Sequence, residues 1–343
     1  MIKLERALEE FEALWKKRYV SGFVAYDVDV IFFKESDRQY RLNVNAFTGI
    51  KDDMVNFEAV GKEYELAEKI IIEKLKDYFQ EGKMTNKEYR KHEGISRSEL
   101  YVICEKTPLH FKYMQENPKE DTQSLSFGRA AHKLILEPDD FANEFVVSPD
   151  FDRRTKAGKE AYEAFAAENA DKEIISRGDY EVLTEMKKAV DSNENARKFL
   201  NGIHETSYFW TDEETGELCK VRPDCITTID GKKYIVDYKT TDSCADGHFE
   251  RSVRKYGYRF QAGMYREGVF QNTFEDYGFA FVAQEKTAPY AVRVYTCSEE
   301  FCNEGLDEFK NALRMYHDCK ETGNWFGYEG PDGCVTSLFE EDI

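Results

Sequence analysis

Residues 221–241, VRPDCITTIDGKKYIVDYKTT, carry the most specific pattern in the chain. Two apolar runs flank Asp230-Gly231, a turn pair, so the pattern predicts a β-hairpin. Side chains alternate along a strand, which puts Asp237 and Lys239 on one face and Tyr238 on the other. Asp224 lies on the preceding strand, across the turn, where it can face them. Two carboxylates this close repel each other unless they are protonated or bridged by a cation, and hard oxygen ligands with room for water suit magnesium or manganese. A lysine beside them can orient a water or stabilise a pentavalent phosphate. The pattern points to phosphodiester hydrolysis. The competing reading is a surface hairpin with an Asp–Lys ion pair. It is the weaker one, because IVDYKTT carries its charges at the end of a buried-looking strand, where charges need partners.

Outward from the hairpin, the chain reads as two parts. Residues 1–90 suggest a small α/β unit. Leu4, Leu8, Phe11 and Trp15 recur at helical spacing, GFVAYDVDVIFF and QYRLNVNAF alternate as a strand pair around residues 34–38, and Leu66, Leu75 and Phe79 mark a second helix. Asp27 and Asp29 read as a solvent-facing strand edge, and EGKMTNKEYRKHEG, residues 81–94, as a linker. Residues 91–343 then run through helices ending near Thr107 and at Pro138, a block at KAGKEAYEAFAAENA and a block at SRGDYEVLTEMKKAVDSNENARKFL. From residue 205 the period shifts to strands. A helix from about Phe249 to Phe270, irregular at Gly257, two more strands and a last helix from about Ser298 to Lys320 complete the chain.

With 343 residues, 41% of them hydrophobic, the chain can fill a substantial core. No run approaches the length needed to span a bilayer and MIKLERALEEFEALW lacks the apolar centre of a leader, so no membrane association and a cytoplasmic location are expected. The eight cysteines form no CxxC pair, and Cys297, Cys302, Cys319 and Cys334 are spaced too loosely for an iron–sulfur cluster. A net charge of −19 argues against coating nucleic acid everywhere, while leaving room for a focused, salt-sensitive basic channel.

Five segments in order, SFGRAAHKLILEP, DRRTKAGKEAY, ETSYFWTDEETGELCKVRPD, IVDYKTT and KYGYRFQAGMY, resemble the PD-(D/E)xK nucleases of the RecB-like type. Within these the chain is most similar to the RecE, or exodeoxyribonuclease VIII, family of phage recombination exonucleases. The resemblance leaves residues 1–90 uncovered. It implies an α/β fold with a restriction-endonuclease-like core, a mixed central sheet flanked by helices, carrying the small N-terminal α/β unit as an extension. It also implies that Asp224 and Asp237 bind metal, that the Tyr238 carbonyl is a further ligand, that Lys239 is the catalytic lysine and that His132 reaches the metal from a neighbouring helix. Read alone, His132 would be a structural histidine. Gln261 and Tyr265 match a QxxxY motif whose i, i+4 spacing puts both on one helix face. Glu205 is either a further metal ligand or a salt-bridged strand residue.

Arg153, Arg154, Lys156 and Lys159 form a candidate phosphate strip, with a solvated helix start as the plain alternative. Arg129, Arg254, Lys255 and Arg259 are candidates nearer the cut. The resemblance implies a Mg²⁺-dependent (or Mn²⁺-dependent), ATP-independent exonuclease acting 5′ to 3′ on linear double-stranded DNA in a bacterial or phage-infected cell. It implies too a RecT-type annealing partner for the 3′ tails and a ring-like homo-oligomer. The alternatives are a PD-(D/E)xK endonuclease, an iron–sulfur nuclease, or an inactive DNA-end-binding or annealase-loading module.

Overall fold

A computed structural model describes residues 28–36, 39–47, 54–61, 84–118 and 123–334. Contacts divide the chain into two compact units, residues 1–92 and 93–343. The first contains β1 (Val28–Ser36), β2 (Gln39–Phe47) and β3 (Met54–Gly61), paired antiparallel in that order. The first two are the pair expected from their alternation. The third also alternates, at Val55, Phe57 and Ala59, a signal the sequence reading passed over. The helices expected near residues 4–17 and 66–79, and Asp27, lie outside the described residues.

The segment read as a linker contains a helix, α1 (Asn86–Lys91), because Thr85 and Glu88 form a reciprocal capping box that satisfies its first N–H groups. Polarity had obscured this signal.

The second unit opens with β4 (Ile95–Ser96), α2 (Arg97–Glu105), α3 (Pro108–Glu116) and α4 (Gln123–Leu136). It continues through α5 (Phe141–Glu144), β5 (Phe145–Val147), α6 (Lys156–Glu168), β6 (Glu173–Ile175), α7 (Arg177–Ser192) and α8 (Glu194–Phe199). Asn193 closes α7 and caps α8, dividing a block that reads as continuous in sequence. Then come β7 (Ile203–His204), β8 (Tyr208–Thr211), β9 (Leu218–Val221), β10 (Cys225–Ile229) and β11 (Lys232–Thr241). The chain ends its described course with α9 (His248–Lys255), α10 (Tyr258–Thr273), β12 (Gly278–Glu285), β13 (Val292–Thr296) and α11 (Glu299–Thr322).

The central sheet has the order β13-β12-β11-β10-β7, with β11 and β12 parallel and the other neighbours antiparallel. It is the mixed sheet flanked by helices that the motifs implied. Alternation along β11 and β12 feeds two apolar layers. Ile235, Phe279, Phe281 and Ala283 pack toward α10 and α11, while Val236, Tyr238, Ala280 and Val282 pack toward α4 and α7. Asp237 and Lys239 share the parity of Ile235. A pair of charges therefore projects from the middle of the sheet into the layer beneath α10.

Candidate active site

The hairpin closes as its sequence requires. Asp230 and Gly231 both take positive φ, at 50° and 78°, and Cys225 pairs with Val236. Strand β9 stops at Val221 and β10 starts at Cys225, with Pro223, which has no N–H for a ladder, in the gap. Asp224 fills the missing rung. Its Oδ2 accepts the Tyr238 main-chain N–H at 2.7 Å and lies 3.3 Å from His132 Nδ1. His132 comes from α4 on the far face, its ring edge-on to Tyr238 at 5.2 Å. The Tyr238 hydroxyl is tied to Gln284 Oε1 at 2.5 Å, which fixes the ring on which His132 rests.

On the opposite face, Asp237 is 2% exposed. Gln261 on α10 donates its side-chain N–H to Asp237 Oδ1. Lys239 Nζ lies 2.5 Å from Asp237 Oδ2, and apart from that ion pair Oδ2 is buried with no hydrogen-bond partner. The Lys239 ammonium also sits 5.0 Å from the ring centroid of Tyr258. Tyr265 is one turn beyond Gln261, packed into the core and edge-on to Phe279 at 6.4 Å.

Glu205 closes the third side. It adopts a left-handed backbone, φ 55°, directly after β7, and its N–H donates to the Asp224 carbonyl at 3.1 Å. Glu205 forms the expected salt bridge, from a bend just past β7 and not from within the strand. Its Oε2 accepts from Arg222 Nε at 2.7 Å, and with His132 and Asp224 it offers ligand atoms that all lie within 4.8 Å of one another.

The electrostatics follow from this crowding. Burial pushes the Asp237 carboxyl up and outweighs Lys239, leaving it above the usual range, with Asp224 adding to the effect. Burial and the Asp224 charge likewise raise Glu205 against the pull of Arg222. Burial also acts upward on Asp224, but His132 and Lys239 prevail and hold it low. For His132 and Lys239 burial works downward and is overcome by Asp224 and Asp237 respectively, so both cations are favoured. Glu205, Asp224 and His132 bring two carboxylates and an imidazole within 4.8 Å of one another. An oxygen-rich set with one imidazole fits a hard divalent cation held by His132, Glu205 and Asp224.

The basic candidates separate into three groups. Arg129 is held by Glu173 through two contacts of 2.8 Å, and Arg259 pairs with Glu304 and Glu308, so their charges are compensated locally. Arg153, Arg154, Lys156 and Lys159 are exposed around the start of α6, with Arg153 over Tyr162 and Arg154 and Lys156 facing Asp152 and Glu160. Arg254 and Lys255 are exposed in the last turn of α9 and enter no ion pair among the described residues.

Two neighbours of the site were absent from the sequence reading. Arg222, beside Pro223-Asp224, holds Glu205 and reaches Ser207 at 3.1 Å. Arg97 donates to the carbonyls of Tyr256 and Gly257, the latter at 2.8 Å, across a separation in sequence that no local pattern reveals. Gly257 has φ 62°, and a Cβ there would meet the Tyr101 ring at 2.1 Å, so the break between α9 and α10 requires glycine.

None of the curated proteins compared matches the chain. Among solved structures, one described as "Putative exonuclease" from Eubacterium rectale aligns with a TM-score of 0.49 and 17% identity, covering 75% of this chain and 96% of that one. The protein SSO0001 aligns with a TM-score of 0.30 and 14% identity, covering 73% of this chain and 87% of that one. Residues 87–335, which hold every side chain of the site, match the family described as PDDEXK-like domain of unknown function (DUF3799), and the chain belongs to that family, with a restriction-endonuclease-like core.

Proposed function

We propose that this chain is a metal-dependent, ATP-independent exodeoxyribonuclease that digests linear duplex DNA 5′ to 3′ and leaves 3′ single-stranded tails for strand annealing. One observation carries the hydrolytic part. The Asp237–Lys239 pair, 2.5 Å apart, stands beside a carboxylate and histidine group able to hold a cation, with Asp224 adjoining both halves. Direction and end dependence rest on the motif resemblance to the RecE family.

A bound Mg²⁺ would supply Lewis acidity toward water and a phosphate oxygen. His132, Glu205 and Asp224 would hold it, and the Tyr238 carbonyl is the further ligand that the motifs suggest. Lys239, kept charged by Asp237, orients the attacking water and faces the charge that develops on the phosphate. Gln261 fixes Asp237, and Tyr265 braces the same helix face. Arg254 and Lys255 contact backbone phosphates, giving position without sequence. The RecT-type partner and the ring-like homo-oligomer complete the reading; an acidic exterior with a basic lumen would reconcile a charge of −19 with DNA binding.

The test is digestion of a linear duplex labelled separately at its 5′ and 3′ ends, with Mg²⁺ and no ATP, beside a covalently closed circle. Early loss of the 5′ label with a surviving 3′ strand and an intact circle is the expected result. Cleavage of the circle would replace the exonuclease by an endonuclease.

A further inference from the structure

We infer that Tyr256, with Tyr258 behind it, is a stacking platform for an unpaired nucleobase next to the scissile phosphate, so that the productive substrate is a frayed or single-stranded terminus. This rests on the hydrolase reading above and deepens it. Tyr256 is 47% exposed, at the joint between α9 and α10. The left-handed Gly257 turns the chain so that the Tyr256 and Tyr258 rings stack, with centroids 5.9 Å apart and planes 28° from parallel. Tyr258 is 9% exposed and clamped against Phe281, with its ring 5.0 Å from Lys239 Nζ. The aromatic pair therefore leads from the catalytic lysine to solvent.

The mounting is rigid. Arg97 holds the carbonyls of both Tyr256 and Gly257 and itself lies over Tyr101 at 4.7 Å. The surroundings are cationic. Lys255 Nζ is 5.0 Å from the Tyr256 ring, and Arg254 is exposed one residue earlier. A tyrosine left half in water, stacked on one side by Tyr258, with the flexible Lys255 ammonium over its ring and the exposed Arg254 nearby, has the features by which single strands are gripped. Bases stack on such rings irrespective of sequence while lysine and arginine follow the phosphates. A base within a duplex is already stacked on its neighbours, so only a terminal or unpaired base can occupy the platform. Charge complementarity and continuity with Lys239 select this occupant over an apolar protein segment.

The experiment uses the full chain carrying Lys239→Ala, to prevent cutting, and a duplex with 2-aminopurine at the terminal nucleotide in Mg²⁺. Fluorescence reports stacking and anisotropy reports affinity. Quenching on binding is expected and is retained in Tyr256→Phe. In Tyr256→Leu quenching is lost and affinity falls about tenfold, a difference that disappears when the terminal nucleotide is abasic. Equal quenching and affinity in Tyr256→Leu, with Tyr256→Trp behaving alike, would overturn the platform while leaving the hydrolase reading intact. Absence of DNA binding by the Lys239→Ala chain together with absence of cleavage by the unaltered chain would overturn the hydrolase reading and the platform with it.

Discussion

Each side chain in the site is held by a partner that would be costly to remove. Asp237 is buried, so its amide donor from Gln261 and its ion pair with Lys239 keep a carboxylate where water cannot reach. Gln261→Leu strips Oδ1 of its donor and should lower stability by about 1–3 kcal/mol, read from urea denaturation, together with a loss of cleavage. A loss of cleavage without any loss of stability would show that the amide acts only on substrate. The raised Glu205 and His132, two of the three groups that would hold the cation, make a second prediction. Groups whose pKa lies above the usual value hold protons that a cation must displace, so metal binding releases protons and strengthens as pH rises. Calorimetric titration with Mn²⁺ in two buffers of different ionisation enthalpy should give different apparent heats. Identical heats would contradict the ligand set, and His132→Ala should weaken binding by at least about tenfold, since loss of even an outer-shell partner of a ligand costs that much.

Helix α10 carries Gln261 and Tyr258, and its position depends on an unusually close crossing with α11. A Cβ added at Gly305 would fall 2.0 Å from the Arg259 carbonyl oxygen, and one at Gly263 would fall 2.1 Å from the Leu306 nitrogen. Both obstacles are backbone, which cannot step aside as a flexible side chain can. Gly305→Ala should therefore cost about 1–3 kcal/mol and reduce cleavage beyond what the stability loss explains, because α10 must shift away from β11. Thermal melting with a parallel rate measurement checks it, and an unchanged melting temperature would contradict the crossing. The hairpin of β8 and β9 is tied to α11 by charges. Lys310 meets Asp212 at 2.5 Å, and Lys320 and His317 meet Glu217 at 2.7 and 3.0 Å. Burial, the largest influence, pushes Asp212 and Glu217 up, but these partners outweigh it and hold both below the usual carboxylate range. A depressed folded-state pKa stabilises above the unfolded value and is lost as pH falls through the folded one. The deficit of Asp212→Asn and Glu217→Gln relative to the parent should thus be full at pH 7 and shrink below about pH 4. A deficit independent of pH would assign the loss to packing.

Across the whole molecule, the sequence showed what is local and hid what is distant. Period two along IVDYKTT placed Asp237 and Lys239 on one face, and the turn at Asp230-Gly231 brought Asp224 alongside, because strand parity and turn chemistry act within a few residues. Asp224 does so from the gap before β10, substituting for a strand rung, which alternation alone cannot indicate. The capping box of α1 was present in the letters but masked by polarity. Arg129 and Arg259 read as cations free to hold phosphate, and they are instead compensated by Glu173 and by Glu304 and Glu308, which chain order places far from them. Arg97 and the tolerance of Glu205 for a left-handed backbone arise only once tertiary structure exists. In the function proposed above, these separate pieces compose one metal-dependent hydrolytic site. Its most direct test is single-turnover cleavage of an end-labelled linear duplex by the full chain and by Lys239→Ala in Mg²⁺, with binding of the same duplex measured by anisotropy. The cleavage rate of Lys239→Ala should be lower by about 10²- to 10³-fold with affinity unchanged. Cleavage at the parental rate by Lys239→Ala would contradict that function.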